Sequence, residues 1–235
     1  MCRVLCVEVY QVRIQNIKKI AAAVLLTTFS FSGNALAAPA QGDYNFDGKS
    51  DLSVALVSKQ AGTTAWLTRL GPTSSLFWSF NIPGDALVSG KWYRDNKTYP
   101  GIVYVRDARQ PLQWYLKNPV GAEVFIQYGL PGDTVPNQGD LDCDGVTDFV
   151  VARNNSNGYK YWYVTLSSRG GAVMESLFGL NSDRIGVADM DGDGCSEMIA
   201  LRDGFIWFAK KLFRPEISQV QWGLPGDYPL LPIDI

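Results

Sequence analysis

One short pattern returns along the chain at an almost constant interval. Four segments start an Asp-rich loop or its degenerate copy, at Asp43, Lys91, Asp140 and Asp189, spaced 48, 49 and 49 residues apart. A fifth equivalent, Asp234, follows 45 residues later and nearly ends the chain. A second marker keeps the same step: Ile82-Pro83-Gly84-Asp85, Leu130-Pro131-Gly132-Asp133, Leu180-Asn181-Ser182-Asp183 and Leu224-Pro225-Gly226-Asp227. Tryptophans recur as Trp66, Trp114, Trp162 and Trp207, and aromatics before the Pro-Gly turn as Phe80, Tyr128, Phe178 and Trp222. Independent markers sharing one period mean stacked copies of one supersecondary unit, none of which buries its apolar face alone.

Within each unit the local signals are those of strands. Segments 51–57, 148–153 and 197–202 are short, apolar and bounded by turn residues, while 113–116 and 161–166 are rich in aromatic and β-branched residues. Pro-Gly-Asp is turn chemistry, with Pro fixing φ and Gly accepting positive φ. No stretch after residue 37 sustains a helical period. About four strands per unit at this period predict an all-β, four-bladed β-propeller. Each later loop is preceded by an expected strand, at 86–89, 134–138 and 184–188. The first loop lacks one, and the matching segment lies at the other end of the chain, 228–233. That segment is expected to complete the first blade and close the ring, removing the open edge. A monomer is the expected state, with strand exchange between two chains as the alternative.

Three loops share the pattern D-x-[DN]-x-D-G-x-x-[DE]. They comprise Asp43, Asn45, Asp47 and Asp51; Asp140, Asp142, Asp144 and Asp148; and Asp189, Asp191, Asp193 and Glu197. Oxygens at positions 1, 3, 5 and 9, with the position-7 carbonyls of Lys49, Val146 and Cys195, can converge on a hard cation such as Ca²⁺. Gly48, Gly145 and Gly194 permit the sharp turn that folds these groups inward. Position 12, where an EF-hand carries Glu, holds Val54, Val151 and Ala200, and no helix is expected to follow. These are strand-flanked loops, and three ions are expected. Four carboxylates within nine residues repel one another unless a cation offsets them. The second unit reads Lys91-Trp92-Tyr93-Arg94-Asp95-Asn96, and a Lys or Arg head could stand where the others hold an ion, so no metal is expected there. The first loop, with Asn45 in place of a carboxylate, is expected to bind more weakly than the other two.

Gly-Leu-Pro-Gly-Asp followed by Gly-Asp-Leu-Asp-Cys-Asp-Gly-Val-Thr-Asp-Phe-Val-Val resembles the FG-GAP/VCBS-type repeats of bacterial exported proteins, which also form the propeller head of integrin α subunits. The resemblance covers 42–235. It implies a Ca²⁺-bearing propeller with ions in the loops joining the first two strands of a blade. The chain departs from it at Lys91 and in having fewer than seven units.

The N-terminal segment has a different character. Lys18 and Lys19 precede an apolar run over 20–31, and Ala35-Leu36-Ala37 has the form of a signal peptidase site, so 1–37 reads as a secretory signal peptide and 38–235 as one domain. Residues 1–11 are long and nearly uncharged for such a leader, which suggests a translation start near Val12. The apolar run is too short to span a bilayer. Removal of the leader leaves 17 basic and 22 acidic residues, a net charge of −5, with no bias toward nucleic acid. Eleven of those acids lie in the three loops, and three Ca²⁺ would bring the formal charge to about +1. Export into the periplasm or the medium is expected. There Cys143 and Cys195, in equivalent loops of neighbouring units, could pair.

Function is less directly written. The chain has no histidine, which removes Ser-His-Asp and Cys-His nucleophilic systems and His-ligated zinc. The leading expectation is a non-enzymatic binding or adhesion module for a protein or glycan, with Ca²⁺ structural. A lectin-like carbohydrate binder is the alternative, and a glycan hydrolase using paired carboxylates the more distant one. The periodic tryptophans are expected to pack between blades. Trp92 and Tyr93, in the degenerate loop, are the candidates for an exposed ligand contact.

Overall fold

The computed structural model describes residues 42–203, 205–224 and 227. The expected signal peptide, 1–37, and the expected closing strand at 228–233 lie outside the described residues. Among them the chain is all-β: fourteen strands, no helix, and four antiparallel sheets in which each strand pairs with its sequence neighbour. The first sheet is β1 (Leu52–Ser58), β2 (Thr63–Arg69) and β3 (Ser75–Phe80). The second is β4 (Ala86–Gly90), β5 (Tyr99–Tyr104), β6 (Gln113–Lys117) and β7 (Glu123–Gln127). The third is β8 (Phe149–Asn154), β9 (Tyr159–Leu166) and β10 (Ala172–Leu180). The fourth is β11 (Arg184–Ala188), β12 (Glu197–Arg202), β13 (Ile206–Lys210) and β14 (Ile217–Gln221).

The sequence period becomes a structural one because the register repeats. Trp66, Trp114, Trp162 and Trp207 sit opposite Ala55, Val103, Ala152 and Leu201 on the preceding strand. Three of the four indoles then bond to the second aromatic marker. Trp114 Nε1 donates to Tyr128 O (2.8 Å), Trp162 Nε1 to Phe178 O (2.8 Å) and Trp207 Nε1 to Trp222 O (2.9 Å). The amphipathic ring thus fills the core while its one donor is satisfied. Trp66, Trp114 and Trp162 are buried, as expected of residues packed between sheets, while Trp207 is half-buried. Apolar clusters join the second sheet to the third through Val88, Trp114 and Val151, and the third to the fourth through Trp162, Ile185 and Ala200.

The Pro-Gly-Asp turns are held chiefly by their aspartate. Asp133 and Asp183 each accept the backbone N–H three residues back, from Leu130 and Leu180 (both 2.8 Å). Each also takes a two-pronged bond from an arginine, Arg153 or Arg202, whose guanidinium lies over Tyr163 or Phe208. The Asn181-Ser182 turn therefore keeps the geometry of its Pro-Gly relatives, because the aspartate is retained.

The expected strand at 134–138 is not a regular strand. Only two isolated bridges form there, Thr134 with Ala152 and Gly139 with Asp148. Pro136 has no N–H to give the ladder, and side-chain amides take over its bonds. Gln138 Oε1 accepts from Val150 N (2.6 Å) and its Nε2 donates to Val150 O (3.2 Å). On the other side Asn137 grips Val187, accepting its N–H (2.8 Å) and donating to its carbonyl.

The first sheet ends at β1 among the described residues, and that strand is open to solvent. Leu52, Val54 and Leu56 are 75%, 67% and 70% exposed. The equivalent residues of the fourth unit, Met198 and Ala200, are fully buried.

Candidate metal centres

Each Asp loop turns sharply into the strand that follows it, β1, β8 or β12. Two left-handed residues make the turn: Phe46 and Gly48 in the first loop, Cys143 and Gly145 in the third, Gly192 and Gly194 in the fourth. Glycine at position 6 is legible in the sequence. The left-handed residue at position 4 is not, since Phe and Cys seldom adopt that conformation.

The turn wraps backbone donors around the first carboxylate. Asp43 accepts N–H bonds from Phe46 (2.6 Å), Asp47 (3.2 Å) and Gly48 (2.9 Å). Asp140 accepts from Asp144 (3.1 Å) and Gly145 (2.7 Å), and Asp189 from Gly192 (2.6 Å) and Gly194 (2.9 Å). The position-9 acid reaches back to the residue after position 1. Asp51 accepts from Tyr44 N (2.9 Å), Asp148 from Leu141 N (2.9 Å) and Glu197 from Met190 N (2.7 Å). The longer glutamate thus serves the same donor as the aspartates.

In two loops these constraints gather carboxylates. Asp140, Asp142 and Asp148 present oxygens within 4.8 Å of one another, as do Asp189, Asp191 and Glu197. The position-5 acids are not in these groups. Asp144 Oδ1 accepts Val146 N (2.8 Å) and Ser167 Oγ (2.9 Å), and Asp193 Oδ1 accepts Cys195 N (3.0 Å). In the first loop Asp47 Oδ1 accepts Lys49 N (3.0 Å) in the same way. There Asn45 does part of a cation's work, since its Nδ2 donates to Asp47 Oδ2 (3.3 Å).

The gathered carboxylates are electrostatically uncomfortable. Burial raises Asp140, and it pushes Asp148 up to about 7, with the charges of Asp142 and Asp140 adding to the effect. Burial also raises Glu197. Two oxygens, Asp142 Oδ1 and Glu197 Oε1, are buried without a hydrogen-bond donor. Asp142 Oδ1 beside two further carboxylates, and Glu197 Oε1 facing only the Lys211 ammonium at 3.4 Å, are oxygens that a hard, oxygen-seeking divalent cation satisfies. The residues present fit such an ion in the third and fourth loops.

The second unit solves the problem differently. Its position 9 is Tyr99, whose hydroxyl donates to Asp95 Oδ2 (2.5 Å). Burial, then Asp95, raises the tyrosine pKa and keeps the donor in place. Arg94 does not fold back into its own loop but reaches across to Asp144 of the third loop (2.7 Å). Lys91 lines a cavity of about 520 Å³, together with Gly42, Trp66, Gln138, Asp140 and Asp189, so residues of all four units share it. Burial lowers the Lys91 pKa, while Asp43 and Asp140 act in the opposite sense. Trp92 and Tyr93, the candidate ligand contacts, are half-buried. Trp92 stacks on Phe149 (5.1 Å, 4° between planes) and donates to Tyr99 O (3.1 Å); Tyr93 packs edge-on against Tyr99.

Backbone bonds tie each loop to the next. Position 8 of one unit donates its N–H to the position-1 carbonyl of the unit before: Thr98 to Asp43 (2.7 Å), Thr147 to Lys91 (3.0 Å) and Ser196 to Asp140 (2.7 Å). The approach is close enough to exclude side chains. A Cβ on Gly139 would meet Ser196 Oγ at 2.5 Å, and one on Gly90 would meet Thr147 Cγ2 at 2.7 Å. The third and fourth loops are also joined covalently by Cys143–Cys195 (Cα–Cα 4.9 Å), a bond suited to an oxidising compartment. Among the described residues no helix is long and apolar enough to cross a membrane.

No family model matches the chain, and no curated protein or solved structure is significantly similar to it.

Proposed function

We propose that this chain is an exported, calcium-stabilised β-propeller that acts as a non-enzymatic binding module for a protein or glycan. The observation that carries the reading is the pair of gathered acid groups at matched positions 1, 3 and 9 of two units, Asp140, Asp142, Asp148 and Asp189, Asp191, Glu197, each with one buried oxygen that no hydrogen bond satisfies. Catalytic sites seldom recur at the same place in successive units, whereas scaffold ions do. The first loop is the weakest of the three sites, because Asn45 already bridges to Asp47. The test is thermal unfolding of the oxidised chain in Ca²⁺ and in EDTA. Ion binding to the folded state alone adds about 2.7 kcal/mol per site at a hundredfold excess over Kd. A melting curve indifferent to EDTA overturns the reading.

We propose also that the four units close into a ring at the open edge of β1, the place expected for 228–233, which lie outside the described residues. Three inter-unit backbone bonds of one kind, a cavity shared by all four units and the exposed apolar residues of β1 support this. Light scattering on the eluting protein checks it, since a stable dimer would mean that the closing strand comes from another chain. The partner binds on one loop face, and a glycan array against a panel of surface proteins separates the two ligand classes.

A further inference from the structure

The third and fourth loops have the same acidic pattern, yet only one of them carries its own cation. Lys211 follows β13 directly, and its Nζ lies 2.9 Å from Asp191 Oδ2 and 3.4 Å from Glu197 Oε1 and bonds Asp193 Oδ2. Two of those three acids belong to the gathered carboxylates of the fourth loop. The residue that directly follows the matching strand β9 is Ser167, and it and Ser168 offer the third loop hydroxyls: Ser167 Oγ to Asp144 and Ser168 Oγ to Asp142. The third loop's one ion pair is with Arg94, which touches Asp144, outside the gathered group.

We propose that Lys211 is a tethered counter-ion of the fourth loop that competes with Ca²⁺ for Asp191 and Glu197. The proposal rests on the calcium reading of the loops. An ammonium on a flexible stem can do this because it is a compact point charge. It holds the acids together in the metal-free chain, and a divalent ion must displace it to reach both carboxylates. There is room for the displaced head. Asp191, Glu197 and Lys211 line a cavity of about 520 Å³ whose wall also includes Trp207, Glu216 and Val220. Glu216 offers the released ammonium a carboxylate within that cavity. The consequence is an unequal pair of sites: a third loop that depends on its ion, and a fourth that stays ordered without one and fills only at higher Ca²⁺.

Calcium titration by calorimetry tests this on the full oxidised chain, comparing wild type with Lys211→Met and with Lys211→Met/Asp191→Asn. Removing a cation from beside a dication is worth on the order of a tenfold gain in affinity in a partly exposed site. The expected result is a weak site in the wild type that tightens about tenfold in Lys211→Met and weakens again about tenfold in the double variant. Identical isotherms for wild type and Lys211→Met, with a site still weakened about tenfold in Asp142→Asn, overturn the Lys211 proposal and leave the calcium reading intact. No binding in any form overturns both. Should Lys211→Met fail to fold, the unaltered chain decides. The Lys211 side-chain ammonium resonance should move when CaCl₂ fills the weaker site, and an unmoved resonance sinks the proposal.

Discussion

The second and third loops are neighbours with the same backbone task and opposite chemistry. Each accepts an N–H from position 8 of the following unit and donates one to the unit before. In the second, Tyr99 and Asp95 satisfy each other through one hydroxyl bond. In the third, the same positions hold Asp148 and Asp144, and the loop gathers three carboxylates around a buried oxygen with no donor. The link between units therefore needs no ion, and an ion held by the third loop would serve that loop alone.

The largest expected effect comes from the covalent tie that the third loop has and the second lacks. Cys143→Ser, or reduction, opens a cross-link spanning a sequence separation of 52, and the chain-entropy estimate for such a closure is about 4 kcal/mol. Denaturant unfolding should show that loss at any Ca²⁺ concentration; a loss appearing only without Ca²⁺ would mean that the bond acts through the ion site. Next is Asp142→Asn, which gives the third loop the residue that the first loop has at the same position. Its amide can donate to the neighbouring carboxylates, so metal-free stability should rise by about 1 kcal/mol while Ca²⁺ affinity falls roughly tenfold. Stability falling in EDTA as well would show that the gathered acids are not in conflict.

The pH dependence follows from Asp148. Its carboxyl sits at about 7 in the metal-free fold, against an ordinary 3.8. Between those values the folded chain keeps a proton that the unfolded chain has lost, so this group's contribution makes metal-free stability fall as pH rises from about 4 to about 7. Calcium requires the carboxylate, so affinity should climb through the same window and level off above it. Paired melts at pH 5 and pH 7.5, with Ca²⁺ and with EDTA, check both slopes. Smallest is Tyr99→Phe, which removes the hydroxyl bond to Asp95 and should cost about 1 kcal/mol, equally in Ca²⁺ and in EDTA. A variant that becomes calcium-sensitive would mean that the second loop also binds an ion.

Much of this was legible in the residues, and what was not has identifiable causes. The Trp and aromatic markers recur together, separated by 14, 16 and 15 residues in three units, because a hydrogen bond joins them there. The acids at positions 1 and 9 are fixed by the backbone donors that they face. The expected strand at 134–138 dissolved into side-chain bonds because Pro136 interrupts the ladder and Gln138 can replace it. Arg153 and Arg202 recur at the same place in their units, but Leu56 and Tyr104 at the equivalent positions hide the pattern. Lys211 could not have been anticipated, since it has no periodic counterpart and reaches the fourth loop only through the fold. Trp92 and Tyr93 looked free only because a loop stripped of acids gives no hint that its aromatics pack inward.

The position-8 to position-1 bonds also bear on how such a chain can change over time. They run from main chain to main chain, so neither residue's side chain is consulted. A unit copied by duplication can exchange its acids for Lys91 and Tyr99 and still be clasped by both neighbours. Lineages can therefore let one site decay, or install a new one, while the interface is inherited unchanged. The glycines that admit the close approach, Gly90 and Gly139, are where that freedom stops.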